Sequence, residues 1–521
     1  MNLRPILIAY GLANAILYSA LLPLWEGFDE PFHFGYVQRL ANGHGPPDPR
    51  STTLSREVAN SILLAPASAP VKHNLPRVTT YSEYFALPPS KRAEIEVQLR
   101  AIPPDLRWQS SDLLDNYEGQ HPPLAYLVLA APERLLARVP LPARVLVLRV
   151  IASVIATLLL YAGASKLYSE LGLSESYRAA AIFCVFSLQM TWATVAHVAN
   201  DWLAVPLAVW TLTAAIGYWT APRTAAAARL AGLIAAGLLT KAYFLAMVPL
   251  VVVICLARKR WMHLALAAGI ILAVAAPWYV RNAVTYGALT RMQEARAGFG
   301  PESAIQSTET LDWTSTAVAS LRSWLWTGNN SFTSFSLLTE AAIIATWLGA
   351  LVLWGAGRHT EPEWITALYA FLFAAALIYA TLLSHASSGG IAKAAAPWYS
   401  QVLAAPLLGL AYLGCGRWRR LGGIAAAILV ALFGYVLVAT YLAKLIPLYS
   451  GYQERDSLPL LWMLYSERLG DLSQNLDLLS LAPAGVIFAL TALVVALALA
   501  LALEIMRSII APARSGHSVQ S

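Results

Sequence analysis

Residues 4–36, RPILIAYGLANAILYSALLPLWEGFDEPFHFGY, pass from a long apolar run directly into a charged and aromatic motif. The run 5–24 is long enough to cross a hydrocarbon core about 30 Å thick, and similar runs recur along the 521 residues. Hydrophobic residues make up 58% of the chain and charged residues only 12%, against roughly 25% charged in soluble globular proteins. This composition predicts an all-α polytopic membrane protein, and it excludes a soluble enzyme or a nucleic-acid-binding domain.

About twelve transmembrane helices are predicted from the apolar runs. They lie near residues 5–24, 144–166, 178–198, 202–220, 228–242, 243–257, 262–279, 338–356, 364–383, 399–415, 421–444 and 482–505. The net charge of +7 is carried by short basic clusters between the runs, such as those at 258–260 and 417–420. The positive-inside rule places these clusters in the cytoplasm, which puts both termini in the cytoplasm and the polar segments 25–143, 280–337 and 445–481 outside.

The first outer segment, 25–143, contains several Pro-Pro and Gly-Pro turns. We therefore expect several short juxtamembrane helices and loops rather than a domain with its own core. Its last part, 122–136, is apolar but is interrupted by Pro132-Glu133-Arg134, and we expect it to lie flat at the membrane surface. The three cysteines lie inside or at the end of apolar runs, which argues against a disulfide framework or a cysteine metal site.

Two adjacent carboxylates, Asp29 and Glu30, open the first outer segment. Charged groups at a membrane exit are costly, which favours a functional role. Neighbours on a helix diverge by about 100°, so Glu30 is expected to point away from Asp29, toward a surface helix or a cation such as Arg39. His33 is four residues from Asp29 and shares its face. The alternative is an ordinary helix N-cap, with Asp29 ahead of Pro31.

A second cluster, His197 and Asp201, lies at the outer end of the third predicted span and has the same four-residue spacing. The alternative is again a polar loop in which Asp201 caps the next helix. Two carboxylate clusters at one depth make a functional role more convincing than either cluster alone.

Four cations also lie near the outer interface, where they could neutralise a phosphate headgroup. They are Arg149, Lys241, Arg281 and Lys393. The alternative is that these side chains reach up to lipid phosphates. The sequence contains neither a phosphate-binding nucleotide loop nor a Gly-x-Ser-x-Gly elbow, so we expect acid–base chemistry on a phosphate-bearing substrate at the outer face.

Four motifs in order resemble a known superfamily. FDEPFHFG (28–35) resembles the start of the first outer loop of protein O-mannosyltransferases, and YEGQHPPL (117–124) resembles their later His-Pro-Pro-Leu motif. Asn200-Asp201 matches an Asp in the second outer loop of these enzymes and of lipid A aminoarabinose transferases, and GLLTK (237–241) is similar to their Leu-x-Lys element. Over about residues 1–285 the set resembles the GT-C superfamily of membrane glycosyltransferases.

The resemblance implies a GT-C fold and an inverting transfer of sugar from a polyprenyl-phosphate donor to a glycan, lipid or protein acceptor, without nucleic acid. It implies Asp29 as general base, Asp201 as a second acid and Lys241 as a donor-phosphate contact, and Glu30 is kept as a further catalytic candidate. Other substrate-binding candidates are His33, His121, Arg149, His197, Arg281, Lys393 and Tyr399. Ala125-Tyr126 replaces the Gly-Lys usual after His-Pro-Pro-Leu, so one expected cation is missing.

The chain is expected to fall into three parts. Residues 1–285, which the resemblance covers, would form the catalytic transmembrane module with the outer loop 25–143. Residues 286–337 would form an outer loop, and 338–521 the C-terminal transmembrane helices with the outer loop 445–481. We expect a multi-pass protein of a bacterial inner or plasma membrane whose site faces the periplasm or exterior.

Three alternatives stay open. A lipid-linked-sugar transporter or flippase would show an internal repeat and charges near the bilayer centre, and neither is visible. A membrane glycan polymerase or ligase would use the same cavity with another acceptor. A divalent cation held by Asp29, Asp201, His33 and His197 is a further hypothesis, set against carboxylate–histidine hydrogen bonds without a metal.

Overall fold

The computed structural model describes residues 2–326, 335–452 and 457–510. Nearly all of its regular structure is helical, and the prediction of an all-α polytopic membrane protein is confirmed. The last residues of the predicted cytoplasmic tail, 511–521, lie outside the described residues.

The first helix, α1 (Arg4–Leu21), leads into the first outer segment, which is built from short elements. In chain order these are α2 (Glu30–Ala41), β1 (Thr53–Ser55), α3 (Arg56–Leu64), α4 (Ala69–Asn74), α5 (Tyr81–Ala86), α6 (Pro89–Arg100), β2 (Ser110–Asp115) and α7 (Leu124–Leu135), with 3₁₀ turns at Pro104–Trp108 and Tyr117–Gln120. The sequence predicted the short helices but not the small antiparallel sheet of β1 and β2. With 12 residues, α7 is too short to cross a membrane, as expected for a surface element.

Residues 141–286, in the middle of the chain, form the next group of helices. They are α8 (Leu141–Glu170), α9 (Glu175–Ser187), α10 (Gln189–Val195), α11 (Asp201–Thr220), α12 (Thr224–Leu238), α13 (Met247–Ala257) and α14 (Trp261–Tyr286), with a 3₁₀ turn at Ala242–Ala246. Gly237 permits the close turn before Lys241, because a Cβ atom there would lie 2.1 Å from Phe244 Cδ1.

The remaining helices complete the bundle. They are α15 (Gln293–Arg296), α16 (Pro301–Thr310), α17 (Trp313–Leu325), α18 (Leu337–Gly355), α19 (Glu361–Ser387), α20 (Ala404–Arg417), α21 (Arg419–Ala439), α22 (Ile446–Tyr449), α23 (Leu458–Glu467), α24 (Leu469–Leu479) and α25 (Ala484–Ile510), with a 3₁₀ turn at Pro397–Leu403 and a π turn at Thr440–Leu445.

Among the described residues, eight helices are long and apolar enough to cross a membrane, or nine if the pair α9–α10, bent by 59°, is one span. The other three predicted spans coincide with α12, α13 and α20, which are shorter than the roughly 20 residues that a crossing needs. The predicted number of about twelve therefore counts apolar runs, three of which form short helices. Helix α1, which leads into the first outer segment, packs against α8 and α25.

Candidate active site

Asp29 begins α2 in a left-handed backbone conformation, with φ 54°. Such a conformation is uncommon for residues other than glycine, and strained residues of this kind cluster at functional sites. The hydroxyl of Tyr117 donates a hydrogen bond of 2.6 Å to Asp29 Oδ1. Burial, together with the nearby Glu118 carboxylate, raises the pKa of Asp29 to about 6. A carboxylate with this pKa is matched to proton abstraction near neutral pH.

Glu30 points away from Asp29, and its partner is Arg149 rather than the suggested Arg39. Arg149 Nε lies 2.7 Å from Glu30 Oε1, and Arg149 Nη2 bonds the other carboxylate oxygen. The backbone N–H of Val198 also donates to Glu30. Burial alone would raise the pKa of Glu30, but Arg149 holds it below its usual value. Neither Glu30 nor Arg149 lines the cleft.

Asp201 and Lys241 form a second buried ion pair. Lys241 Nζ donates to both carboxylate oxygens of Asp201, each at 2.6 Å. The ammonium group also lies 4.6 Å from the ring centroid of Tyr399 and 5.6 Å from that of Tyr243. Asp201 is the first residue of α11, and Lys241 follows the tight turn after α12, so neighbouring helix ends place the pair at the cleft wall.

Glu118 joins two of the predicted histidines. Its Oε2 atom lies 3.0 Å from His121 Nε2 and 3.3 Å from His33 Nδ1, and His33 Nδ1 also lies 2.8 Å from the hydroxyl of Tyr126. Burial lowers the pKa of both histidines to about 3 and raises the pKa of Glu118. The two rings are therefore neutral near pH 7. His121 Nδ1 is buried and has no hydrogen-bond partner among the described residues.

These groups converge on one polar cleft of about 130 Å³. The predicted residues that line it are Asp29, His33, His121, His197, Asp201, Lys241 and Tyr399. One side is aromatic, where the rings of Phe28 and Trp398 lie 4.4 Å apart between centroids. The start of the second outer segment closes it, with α15 residues Gln293 and Glu294 at the rim.

Three predicted cations are placed elsewhere. Arg149 is buried behind the cleft with Glu30, while Arg281 and Lys393 are exposed and outside the described lining. Arg281 lies within α14 and Lys393 in the loop after α19, and sequence position alone could not tell whether their side chains reach the cleft.

The metal hypothesis is not supported by the geometry. Within residues 2–326, 335–452 and 457–510, no three His, Cys, Asp or Glu side chains are arranged to hold a metal ion. Asp201, one of the suggested ligands, has both oxygens occupied by Lys241.

Sequence reasoning missed Glu118, Tyr117 and Trp398. Glu118 lies three residues before His121 inside a motif that had been recognised, and this spacing could have marked it as a partner of the histidine. Tyr117 opens the same motif, but its contact with Asp29 spans 88 residues, and Trp398 meets Phe28 only through packing of distant segments, so no local spacing reveals either contact.

No protein-family model matches the chain, and no curated protein matches it. Two solved structures are similar. One is ArnT from Cupriavidus metallidurans bound to undecaprenyl phosphate, with 14% identity and a TM-score of 0.46 over 96% of this chain and 77% of that one. The other is ArnT from the same organism in the apo state, with 15% identity and a TM-score of 0.39 over 75% of this chain and 67% of that one. At this distance, activity and substrates have to be inferred from the residues of the site.

Proposed function

We propose that this chain is an inverting membrane glycosyltransferase of the GT-C class, which moves a sugar from a polyprenyl-phosphate donor to an acceptor at the outer face of the membrane. The observation that carries the proposal is the cleft itself. A carboxylate with a pKa of about 6, Asp29, faces the same small cavity as a buried cation, Lys241. A base and an anion-binding group are the two parts that such a transfer needs.

Asp29 takes the proton of the acceptor hydroxyl as that oxygen attacks the anomeric carbon of the donor. The bond from this carbon to the phosphate oxygen breaks on the opposite side, which inverts the configuration, and the electron pair leaves on the polyprenyl phosphate. The hydrogen bond from Tyr117 fixes one oxygen of Asp29 and leaves the other available for the proton. A positioned general base of this kind contributes roughly 10²–10⁴-fold in rate.

Lys241 stabilises the charge that develops on the phosphate. An ammonium group has three N–H donors, and two of them are used by Asp201. The third is free, among the described residues, to bond a phosphate oxygen. Asp201 therefore positions Lys241 rather than exchanging protons itself. The neutral His121 lies in the same cavity and offers a further polar contact for the sugar or phosphate.

The motif resemblance supports the donor class, and the position of the cleft supports the interfacial site. The cleft lies just beyond the end of α1 and at the start of α11, where a prenyl chain can remain in lipid while the sugar reaches Asp29. The acceptor is a glycan, lipid or protein hydroxyl. A transporter would instead be expected to place its ionisable groups near the bilayer centre.

The test is transfer by the purified full-length protein from a set of polyprenyl-phosphate-linked hexoses. Asp29→Asn keeps the shape and the bond to Tyr117 but removes basicity, so transfer should fall by roughly 10²-fold or more. Asp105→Asn is the matched control, an exposed carboxylate of the same segment, and should transfer at the wild-type rate. Wild-type transfer by Asp29→Asn would refute Asp29 as the base. Absence of transfer by the wild-type protein from every donor, with membrane flipping of the same lipids, would favour a flippase.

A further inference from the structure

A second polar cavity lies on the other side of α2. At 100° per residue, His33, which lines the cleft, and the pair Gln38 and Asn42 lie on roughly opposite faces of this helix. The second cavity is lined by side chains from that opposite face, by both strands of the small sheet and by the turn Pro104–Trp108. It contains two arginines, Arg39 and Arg107, and none of its described lining residues is Asp or Glu.

Arg107 has a donor to spare in this cavity. Its Nε atom donates to Asn42 Oδ1 at 2.9 Å, and its Nη2 atom lies 3.2 Å from Glu133 Oε1. The residue is only 4% exposed. Its Nη1 atom is buried and has no hydrogen-bond partner among the described residues. A buried guanidinium N–H without an acceptor is costly, so this atom indicates a missing acceptor.

Asn116 offers the complementary group. Its side chain is 1% exposed and lines the same cavity, and its Oδ1 atom is buried without a partner in the described part of the chain. The next residue, Tyr117, lines the active cleft instead and donates its hydroxyl hydrogen bond to Asp29. A single turn of chain thus presents one side chain to the active cleft and its neighbour to the second cavity.

An aromatic platform borders the cavity. Trp108 is 61% exposed although it is one of the largest apolar side chains, and the guanidinium carbon of Arg107 lies 5.6 Å from its ring centroid. An exposed indole next to unpaired donors and acceptors suits a sugar ring, whose C–H face packs on the aromatic surface while its hydroxyls bond the amides. The two arginines suit an oxyanion.

We propose that this second cavity is a subsite for a saccharide carrying an oxyanion, either a phosphate or a carboxylate. In the proposed transfer this saccharide belongs to the acceptor, and this part of the inference rests on the proposed function. The oxyanion bonds Arg39 and Arg107 Nη1, a hydroxyl of the same sugar donates to Asn116 Oδ1, and the ring lies against Trp108.

The test is calorimetric binding to the purified full-length protein with three probes: glucose 6-phosphate, glucose and inorganic phosphate. The wild-type protein should bind glucose 6-phosphate more tightly than either of the others. Arg39→Gln should lower the affinity for glucose 6-phosphate and for phosphate about tenfold, in line with the loss of one charge-assisted hydrogen bond. Trp108→Ala should lower the affinity for glucose 6-phosphate several-fold and leave the affinity for phosphate unchanged. Arg77→Gln is the matched control, an exposed arginine of the same segment outside the cavity, and should bind as wild type.

Three results would overturn the subsite. The first is that the wild-type protein binds glucose as tightly as glucose 6-phosphate. The second is that Arg77→Gln loses as much affinity as Arg39→Gln. The third is that Trp108→Ala changes the affinity for none of the probes, which would leave a plain anion site. In the transfer assay, Arg39→Gln should raise the KM for the acceptor and leave the KM for the donor unchanged. If no transfer is found but the pattern of binding holds, the proposed function fails while the saccharide subsite stands.

Discussion

Two buried ion pairs flank the start of the first outer segment, and they differ in what remains unbonded. Arg149 directs all five N–H donors of its guanidinium at the protein: two at Glu30 and three at the carbonyls of Ser19, Leu22 and Pro23.

Lys241 directs two of its three donors at Asp201, and its side chain lines the cleft. Both cations are buried, and both had been predicted to bind phosphate. The comparison teaches that burial and pairing do not place a cation at a cavity, because Lys241 lines the cleft and Arg149 does not. In the proposed transfer we therefore expect Arg149 to act in folding and Lys241 to contact the donor.

The largest effect is expected from breaking the Glu30–Arg149 pair. Arg149→Met leaves the Glu30 carboxylate buried without a partner, which should lower the free energy of unfolding by about 3–5 kcal/mol. The measurement is thermal unfolding of the purified protein in detergent. The double variant Glu30→Leu, Arg149→Met removes the stranded charge and should recover most of the loss. A single variant as stable as wild type would show that this pair does not hold the fold.

The next effect concerns donor binding. Lys241→Met is combined with Asp201→Asn, so that no buried carboxylate is left without its partner. This double variant should weaken binding of polyprenyl phosphate about 10–100-fold, because one charge-assisted hydrogen bond contributes about 1.5–3 kcal/mol. Lys393→Met, an exposed lysine outside the cleft, serves as control and should bind as wild type. Equal losses in both variants would mean that the lysines act only through general charge.

A smaller effect is expected on the transfer rate when the pH of the assay is changed. The transfer rate should rise as pH increases through about 6, because burial first and Glu118 second raise the pKa of Asp29 and only the deprotonated carboxylate can accept a proton. Glu118→Gln removes the second cause and should move this rise to lower pH. A profile that Glu118→Gln does not move would separate Glu118 from Asp29.

The same pKa shift predicts that folding stability falls as pH rises, whereas the transfer rate rises. Because the folded pKa of Asp29 is above its ordinary value of 3.8, its stabilising contribution is complete below that value and is lost as pH rises through about 6. Asp29→Asn should therefore unfold at a higher temperature than wild type at pH 8, and the gap should close toward pH 4. In the proposed function, the base at Asp29 is thus maintained at a cost in stability.

The smallest effect is expected from topology probes, which should leave transfer unchanged. Ser90→Cys, on exposed α6, should react with an impermeant thiol reagent in intact cells. Ser515→Cys lies outside the described residues, in the predicted cytoplasmic tail, and should react only after permeabilisation. Reversed labelling would place the cleft on the cytoplasmic side.

Much of the cleft was predictable because polar residues are rare in this chain. Seven predicted residues line it. Hydropathy marks Asp29, His197, Asp201 and Lys241, which lie close to the ends of apolar runs, whereas His121 was singled out through the motif resemblance. The preference for Asp29 over Glu30 also came from the resemblance. The roles of Arg149 and Glu118 did not, because each depends on a partner more than 80 residues away or on the depth of burial.

By itself, the sequence determined that the chain crosses a membrane through apolar helices and that many of its ionisable residues lie near the ends of the apolar runs, since charges are excluded from hydrocarbon. It also predicted that Asp29 and Glu30 diverge. Only the tertiary structure decided which cation lines the cleft, which apolar runs form short helices, and that a second polar cavity lies beside α2. These depend on how distant segments pack and fill each other's hydrogen bonds, which no local pattern encodes.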